Sequence, residues 1–322
     1  MKQLAKRFVV LLFLLYHIPL TVSAADTLVP VGQVVGLELR ENRLTVAAFD
    51  DTLGKNAKEA GLLPGDELLT MDGLAIHTPT DVREALNHAR GLVELRIRRN
   101  GETKTLRVNP VITAQGPRLG IFLRQGITGI GTVTWYDPES GTFGALGHGV
   151  NTGSGELVEM TEGCAYSARV QSVRPGKVGA PGQLMGAVTD PSPLGILSKN
   201  AKQGLFGSCE AGWDGTALPL CDAEDIQPGP ATIRSTVQGD TPRDYSVEIL
   251  KVYPDDRKDG RNMLIRVTDP ALLKATGGIV QGMSGSPIIQ DGKLVGAVTH
   301  VLLNDPCKGY GISMETMLTA AE

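Results

Sequence analysis

The order of hydrophobic and polar positions divides the chain into two modules with different predicted secondary structure. In the first, residues 34–41 and 43–49 are rich in apolar and β-branched side chains, which predicts two strands. Residues 93–99 and 102–108 alternate apolar and polar side chains, as half-buried strands do. Asn100-Gly101, between them, is typical of a two-residue hairpin turn.

Two helical stretches accompany these strands. Residues 56–61 predict a short helix that ends at a glycine, followed by a sharp turn at Leu62-Leu63-Pro64-Gly65-Asp66. Thr80-Asp81 can cap a second helix that runs to about Ala89. Strands and helices in this order predict an α+β domain over residues 31–110.

The second module, residues 114–322, is predicted to be mainly β. Glycines interrupt its apolar runs, and one run ends in Gly147-His148-Gly149. Residues 267–277 predict a helix with Asp269 at its N-cap. A serine turn, a strand and an Asp291-Gly292 hairpin follow.

Composition narrows the class of protein. Glycine contributes 40 of the 322 residues, a surplus without a repeat period that favours many turns and short strands. The formal net charge is −4. No run of basic residues offers an electrostatic surface for nucleic acid, so nucleic-acid binding is not expected.

Residues 1–25 predict a signal peptide or a signal anchor. Lys2, Lys6 and Arg7 precede an apolar stretch over residues 8–20, and Val22-Ser23-Ala24 provides small residues for signal-peptidase cleavage. The apolar stretch is short for a permanent membrane span. Export is therefore expected, and membrane association through an uncleaved segment remains an alternative.

The cysteines favour no metal site. None of Cys164, Cys209, Cys221 and Cys307 shows C-x-x-C spacing. Export permits disulfides, and Cys209 with Cys221 is the expected pair. The alternative is that all four are small buried hydrophobic residues. Neither a metal nor an organic cofactor is predicted.

A candidate nucleophile lies in Gly282-Met283-Ser284-Gly285-Ser286-Pro287. Glycine permits the positive φ and close backbone approach of a tight turn. Such a turn can expose the Ser284 hydroxyl and direct the amides of Gly282 and Ser284 at one point, as in an oxyanion hole. The alternative is a glycine-rich hairpin corner without chemistry.

A serine nucleophile needs a base, and histidine is the usual one. His17 lies in the predicted targeting segment, and His77 and His88 belong to the first module, where surface or packing roles are expected. His148, between two glycines at the end of a strand, is the preferred base. His300, on the strand that returns from the serine hairpin, is its rival.

The sequence does not single out the acid that would orient the base. Asp269 is the candidate, but its N-cap position before Pro270 explains it equally well without catalysis. Asp305, in Asn304-Asp305-Pro306, has a similar explanation as a turn residue.

The first module resembles a PDZ domain. The pattern A-x-x-A-G-L-x-P-G-D-x-L over residues 57–68, with Asp72-Gly73 after it, carries the resemblance. PDZ domains bind extended peptides by strand addition. The resemblance implies a groove at Gly36, Leu37 and Leu39 that faces the second helix. Its ligand would be a peptide, for which the chain's own amino-terminal region is one candidate.

The second module resembles the stage IV sporulation protein B peptidases, which are exported serine peptidases. GALGHG and the run VTDPALLKATGGIVQGMSGSPIIQDGKLVGAVTH carry the similarity. It implies that His148, Asp269 and Ser284 form a triad, and that the fold is a chymotrypsin-like double β-barrel. Asp269 precedes the serine by only 15 residues, unlike a chymotrypsin-type acid. Met283 stands where trypsin-like enzymes have an aspartate, so activation by a new amino terminus is not expected.

The resemblance also implies a biological role. Such a peptidase would cleave an extracytoplasmic segment of a membrane-bound regulator between forespore and mother cell, and thereby lead to activation of a late mother-cell sigma factor. Two alternatives remain: a catalytically inactive PDZ adaptor, and a broad quality-control protease of the envelope.

Overall fold

The structure, a computed structural model, describes residues 27–153, 155–253 and 260–322. The predicted export segment, residues 1–25, lies outside the described residues. Within the described part of the chain, no helix is long and apolar enough to cross a membrane. The described residues form two β-barrels and a PDZ-type domain.

The amino-terminal strands are β1 (Thr27–Pro30) and β2 (Val34–Glu41). The elements of the PDZ-type domain follow: β3 (Leu44–Phe49), α1 (Lys55–Glu59), β4 (Glu67–Met71), β5 (Leu74–Ala75), α2 (Pro79–His88), β6 (Val93–Arg99), β7 (Glu102–Val108), β8 (Val111–Thr113), β9 (Gly116–Arg118) and β10 (Ile121–Arg124).

The next segment contains β11 (Ile127–Tyr136), β12 (Thr142–Ala145), β13 (Met160–Arg174), β14 (Gln183–Ala201), β15 (Gly204–Ser208) and β16 (Leu218–Pro219). A 3₁₀ turn (Ala223–Asp225) leads to the last segment: β17 (Gly229–Ser235), β18 (Arg243–Val252), β19 (Met263–Val267), α3 (Pro270–Thr276), β20 (Pro287–Gln290), β21 (Lys293–Leu302), β22 (Asp305–Ser313) and α4 (Met314–Ala321).

The first barrel closes around six antiparallel strands in the order β2, β11, β12, β15, β14, β13. Alternate residues of β2, namely Val35, Leu37 and Leu39, pack into its core with Val133 and Phe143. Period-two alternation brings these side chains to one face of the strand. β2 is therefore an integral barrel strand.

The PDZ-type domain is inserted between two neighbouring strands of this barrel. In the antiparallel pair of β2 and β11, Leu39 lies opposite Ile127, so residues 42–126 leave and re-enter the barrel at one place. The inserted sheet has the order β10, β3, β4, β6, β7, with β5 beside β4. It has its own core, which includes Leu44, Leu68 and Leu95.

Of three local predictions for this domain, the hairpin and the sharp turn are confirmed and the helix cap is displaced. The hairpin of β6 and β7 turns at Asn100 (φ 51°) and Gly101 (φ 81°). α2 begins with a capping box in which Thr78 and Asp81 bond each other's backbone amides, so the cap lies two residues before the predicted one. Buried Asp66 accepts from the amide of Leu63 at 2.8 Å, which fixes the predicted turn.

The second barrel closes around β17, β18, β19, β22, β21 and β20. Its core includes Ile233, Val247, Ile265, Ile288 and Val298. The predicted mainly-β fold with two barrels and a PDZ-type domain is thus confirmed. The predicted order differs: the sequence placed the PDZ domain, residues 31–110, before the peptidase domain, residues 114–322, whereas β2 already belongs to the first barrel and the PDZ-type domain is inserted after it.

The predicted disulfide is wrong. Cys209 packs in the core of the first barrel, whereas Cys221 packs in the core of the second, and both thiols are free. The Cys209 thiol donates to the carbonyl of Leu194 at 2.8 Å. Cys209 and Cys221 thus behave as small buried hydrophobic side chains, as the alternative interpretation expects of all four cysteines, whereas Cys164 and Cys307 are only partly buried.

Candidate active site

The candidate site is a cleft of about 490 Å³ at the junction of the two barrels. β2, β11 and the segment after β12 line one side, and the segment before Ser284 and the end of β21 line the other. None of the described residues that line it is Asp, Glu, Lys or Arg. Such a surface suits an apolar group that also needs a few polar contacts.

The turn that carries Ser284 is fixed by its glycines. Gly282 and Gly285 have φ values of 98° and 95°, which L-residues rarely adopt. A Cβ on Gly285 would lie 2.1 Å from the carbonyl oxygen of Thr132 in the first barrel. The Gly285 amide also donates to the carbonyl of Val298 at 2.7 Å. Only glycine fits where the two barrels approach this closely.

The Ser284 side chain is partly exposed in the cleft. Its hydroxyl donates to the carbonyl oxygen of Thr299 at 2.7 Å. The pairing of β21 with β22 shifts register between Val298 and His300, so Thr299 lies in an irregularity of the strand. Irregularities of this kind re-aim backbone groups beside active sites. In this arrangement the serine proton is held by backbone.

The backbone amides of Gly282 and Ser284 donate no hydrogen bond to any described residue. The loop is held instead through its carbonyls. The Thr132 hydroxyl donates to the Gly282 carbonyl at 2.7 Å, and the Thr132 amide donates to the Ser284 carbonyl at 3.2 Å. Two unengaged amides on a fixed loop are the donors that an oxyanion hole requires.

His148 lies on the first-barrel wall of the same cleft. Its Nδ1 is 2.9 Å from the carbonyl oxygen of Gly149, and its ring centroid is 5.3 Å from that of His300. Burial lowers the pKa of His148, and the Gly149 hydrogen bond opposes that shift. The imidazole is therefore neutral at pH 7, as a general base must be.

Asp269 is not brought to His148. Its Oδ1 accepts from the amides of Ala271 and Leu272, both at 2.9 Å, and its Oδ2 accepts from the Ser246 amide at 3.5 Å. The carboxylate caps α3, and it does not line the cleft. The capping interpretation is therefore favoured over the predicted triad role.

The other acidic candidate is also engaged elsewhere. Asp305 pairs with Lys308 at 2.9 Å, and this contact lowers the pKa of its carboxyl. The rival base His300 does lie in the cleft, beside His148. His77 and His88 are exposed on the inserted domain.

The predicted peptide groove at Gly36, Leu37 and Leu39 is wrong. β2 is hydrogen-bonded to β11 along one edge and to β13 along the other, so neither edge can accept a peptide strand. Leu37 and Leu39 line the candidate cleft instead.

The groove of the PDZ-type domain lies between α2 and β10. It is lined by Val82 and Leu86 of the helix and by residues 118–123. β10 is an edge strand that pairs only with β3 among the described strands, which leaves its other edge available for strand addition. The signal that sequence reasoning missed is Leu119-Gly120-Ile121-Phe122. Gly120 has φ 66°, and a Cβ there would lie 2.2 Å from the backbone of Leu53.

Residues 115–318 match the family model of the SpoIVB peptidase S55. The chain belongs to the SpoIVB peptidase family. Residues 34–109 match the PDZ domain model. The chain therefore combines a SpoIVB-type peptidase region with a PDZ domain.

Two curated relatives share shorter stretches. A putative zinc metalloprotease of Rhizobium meliloti (strain 1021) is 39% identical over 88 residues, which is 27% of this chain and 22% of that protein. A putative zinc metalloprotease of Clostridium perfringens (strain 13 / Type A) is 43% identical over 61 residues, 19% of this chain and 18% of that protein. The matches thus span about a fifth of each relative's length. Within the described residues, no group of three or more His, Cys, Asp or Glu is placed to hold a metal ion.

Two solved structures show partial likeness. The PDZ domain of the SdrC-like protein from Listeria monocytogenes is 18% identical, with a TM-score of 0.23, and the match covers 26% of this chain and 88% of that one. The inactive form of the Rv3671c protease is 14% identical, with a TM-score of 0.34, and covers 59% of this chain and 82% of that one.

Proposed function

We propose that this peptidase is an exported endopeptidase that cleaves an extracytoplasmic segment of a membrane-bound regulatory protein. By its family, the event would belong to sporulation, in the space between forespore and mother cell, and would lead to activation of a late sigma factor. The observation that carries the chemistry is that Ser284, His148 and two unengaged amides share one cleft.

The proposed reaction begins when the Ser284 hydroxyl leaves the Thr299 carbonyl and turns to the substrate. Oγ attacks the peptide carbonyl, and its proton passes to Nε2 of His148. The amides of Gly282 and Ser284 donate to the oxyanion of the tetrahedral intermediate. The imidazolium then returns the proton to the leaving amine, and water hydrolyses the acyl-enzyme by the same steps.

The cleft suggests which peptides are cleaved. Its described lining is mostly aliphatic, with Leu37, Ile130, Ile279 and Val301 among the side chains, and it has no carboxylate or ammonium group to pair a charged substrate residue. An unpaired charge that enters such a site loses its hydration without compensation. Apolar side chains next to the scissile bond are therefore preferred.

The PDZ-type groove gives the enzyme a second peptide contact. The edge of β10 beside α2 takes an extended segment by strand addition, either from the substrate or from the chain's own amino-terminal region. This contact adds affinity that the cleft alone does not provide.

Digestion of a mixed peptide library, with products identified by mass spectrometry, tests this function. The wild type should cut at bonds flanked by apolar residues, and Ser284→Ala should cut none of them. Cuts concentrated next to charged residues would contradict the substrate class, and cleavage that persists in Ser284→Ala would contradict the chemistry.

One observation favours a second candidate, the inactive PDZ adaptor. The Ser284 proton is held by Thr299, and no described carboxylate lines the cleft. A folded wild type that binds peptide at the β10 groove and cleaves nothing in the library would support the adaptor.

A further inference from the structure

His148 makes its Nδ1 contact with a backbone carbonyl, where a serine peptidase usually has a carboxylate. A carbonyl oxygen can only accept, so the proton of the neutral ring lies on Nδ1. The lone pair is then on Nε2, the atom that must take the serine proton. This carbonyl can therefore select the catalytic tautomer, which is one of the two tasks of a triad acid.

The peptide group between Gly149 and Val150 is fixed from its other side. A trans peptide is planar, and its N–H and C=O point in opposite directions. The Val150 amide of this same plane donates to Oδ1 of Asn200 at 2.9 Å, while the Gly149 carbonyl faces His148. Asn200 thus determines where the carbonyl points, and hydrogen bonds in series polarise one another.

Besides accepting from the Val150 amide, the Asn200 side chain makes two further hydrogen bonds. Its Nδ2 donates to the carbonyls of Val150 at 2.9 Å and Val158 at 3.0 Å, which closes the short hairpin after His148. The Gly149 amide donates to the carbonyl of Lys202 at 3.1 Å, beyond the end of β14. A Cβ on Gly149 would lie 2.4 Å from Leu157 and 2.7 Å from the carbonyl of Ala201. The hairpin is therefore packed against the end of β14 without room to shift.

We propose that Asn200 is the positioning residue of the catalytic histidine, acting through the Gly149–Val150 peptide in the place of a triad acid. The inference rests on the proposed Ser284–His148 chemistry. It also explains why Asp269 is free to cap α3. A neutral carbonyl stabilises imidazolium less than a carboxylate does, so we expect turnover to be slower than in a peptidase with a triad acid.

The test compares Asn200→Ala, Asn200→Asp, Asp269→Asn and Ser284→Ala on a peptide cleaved by the wild type. Ser198→Ala is the matched control, because Ser198 also lies on β14 and its hydroxyl donates to the carbonyl of Phe206 at 3.4 Å, away from the hairpin that follows His148. Asn200→Ala should lower kcat about 100-fold with little change in KM, because a displacement of about 1 Å costs that much. Asp269→Asn should stay within about threefold of wild type, since asparagine also caps helices.

Two further readouts separate positioning from general damage. ¹⁵N NMR of the wild type at pH 8 should show the Nδ1–H tautomer of His148, and Asn200→Ala should show a mixture of tautomers. The acid limb of its pH–rate profile should also move to lower pH, because the Gly149 bond that raises the pKa of His148 is weakened. Among the described residues that line the cleft, His300 is the titratable group that faces His148, so the profile is repeated in His300→Gln.

Asn200→Asp keeps an acceptor for the Val150 amide but loses both donations, so it should retain part of the kcat that Asn200→Ala loses. The proposal is overturned if folded Asn200→Ala keeps the wild-type kcat and tautomer, or if Asp269→Asn alone loses activity. Activity that survives in Ser284→Ala would instead overturn the proposed function, whatever the Asn200 variants do.

Discussion

The two barrels contribute different halves of the cleft and are built in different ways. The second barrel is a continuous stretch from β17 to β22, and it supplies Ser284, the candidate oxyanion amides and the Thr299 carbonyl. The first barrel supplies His148 and is interrupted between β2 and β11 by the PDZ-type domain. β2 and β11, the two strands that the insertion connects, both line the cleft.

The two halves also differ in what positions their reacting side chains: nearby residues position the serine, and residues distant in sequence position the histidine. The serine turn is specified by glycines within a few residues of Ser284, whose φ values only glycine adopts readily. The histidine is placed by Asn200, 52 residues away in sequence, and by a strand pair that the insertion joins. We therefore expect the serine half to tolerate changes in the PDZ-type domain and the histidine half to respond to them.

The largest expected effect is loss of either reacting group. Ser284→Ala and His148→Ala should each lower kcat by about 10⁶-fold, and the double variant should be no worse than either single one, because the two groups act as a unit. Burst-phase and steady-state kinetics on one peptide measure this. A double variant that is clearly worse than both would show that the halves act independently.

The contact between the halves comes next. Thr132→Val removes the hydroxyl that donates to the Gly282 carbonyl and leaves that carbonyl unpaired at the junction of the barrels. We expect a loss of about 1–3 kcal/mol in the free energy of unfolding. kcat should fall by about tenfold or more, because an oxyanion donor is worth about 10²–10³-fold when lost outright. Urea unfolding measures the free energy change, and steady-state kinetics measure kcat. An unchanged kcat in the destabilised variant would contradict the role of Thr132 in holding the serine loop.

Replacing residues 42–125 with a short Gly/Ser linker addresses the insertion. The barrel should still close, because Leu39 and Ile127 are already opposite each other. Cleavage of peptides should slow by about fivefold or more if the groove and the cleft are coupled with an ordinary allosteric free energy. The control is the full-length protein with Val82→Arg, which blocks the β10 groove and leaves the PDZ-type domain in place. It measures the effect of lost ligand binding alone. Unchanged rate and selectivity in the linker variant would contradict the coupling.

The smallest expected effect is a shift in pH dependence. Only neutral His148 can act as base, and burial lowers its pKa below the ordinary 6.5. Activity should therefore be lost as the pH falls through a value below 6.5. The pH profile of kcat/KM, with His300→Gln as the control for the neighbouring ring, measures the shift. An acid limb above pH 6.5 would contradict the desolvated base.

Much of the fold was predictable because its signals are local. The Asn100-Gly101 turn, the Asp269 cap and the serine turn each depend on residues adjacent in sequence, and each is present. The position of β2 was not predictable from its pattern, since Val35, Leu37 and Leu39 alternate as they would on any half-buried strand. Only long-range pairing decides which sheet buries that face.

The candidate site was likewise predictable where its signals are local and not where they depend on long-range contacts. Ser284 and His148 stand out because glycines flank them, and both lie in the cleft. The cap and triad interpretations of Asp269 were equal in sequence, and its hydrogen bonds favour the cap. Asn200 gave no signal, because an asparagine near a strand end is ordinary until its three backbone partners are known.

Labelling with a fluorophosphonate tests most directly whether the two barrels form one catalytic centre. The reagent reacts only with an activated serine, and mass spectrometry identifies the residue that is modified. We expect label on Ser284 in the wild type and in Asp269→Asn, and its loss in His148→Ala. Folded wild type that takes up no label at Ser284, or undiminished labelling in His148→Ala, would contradict this account.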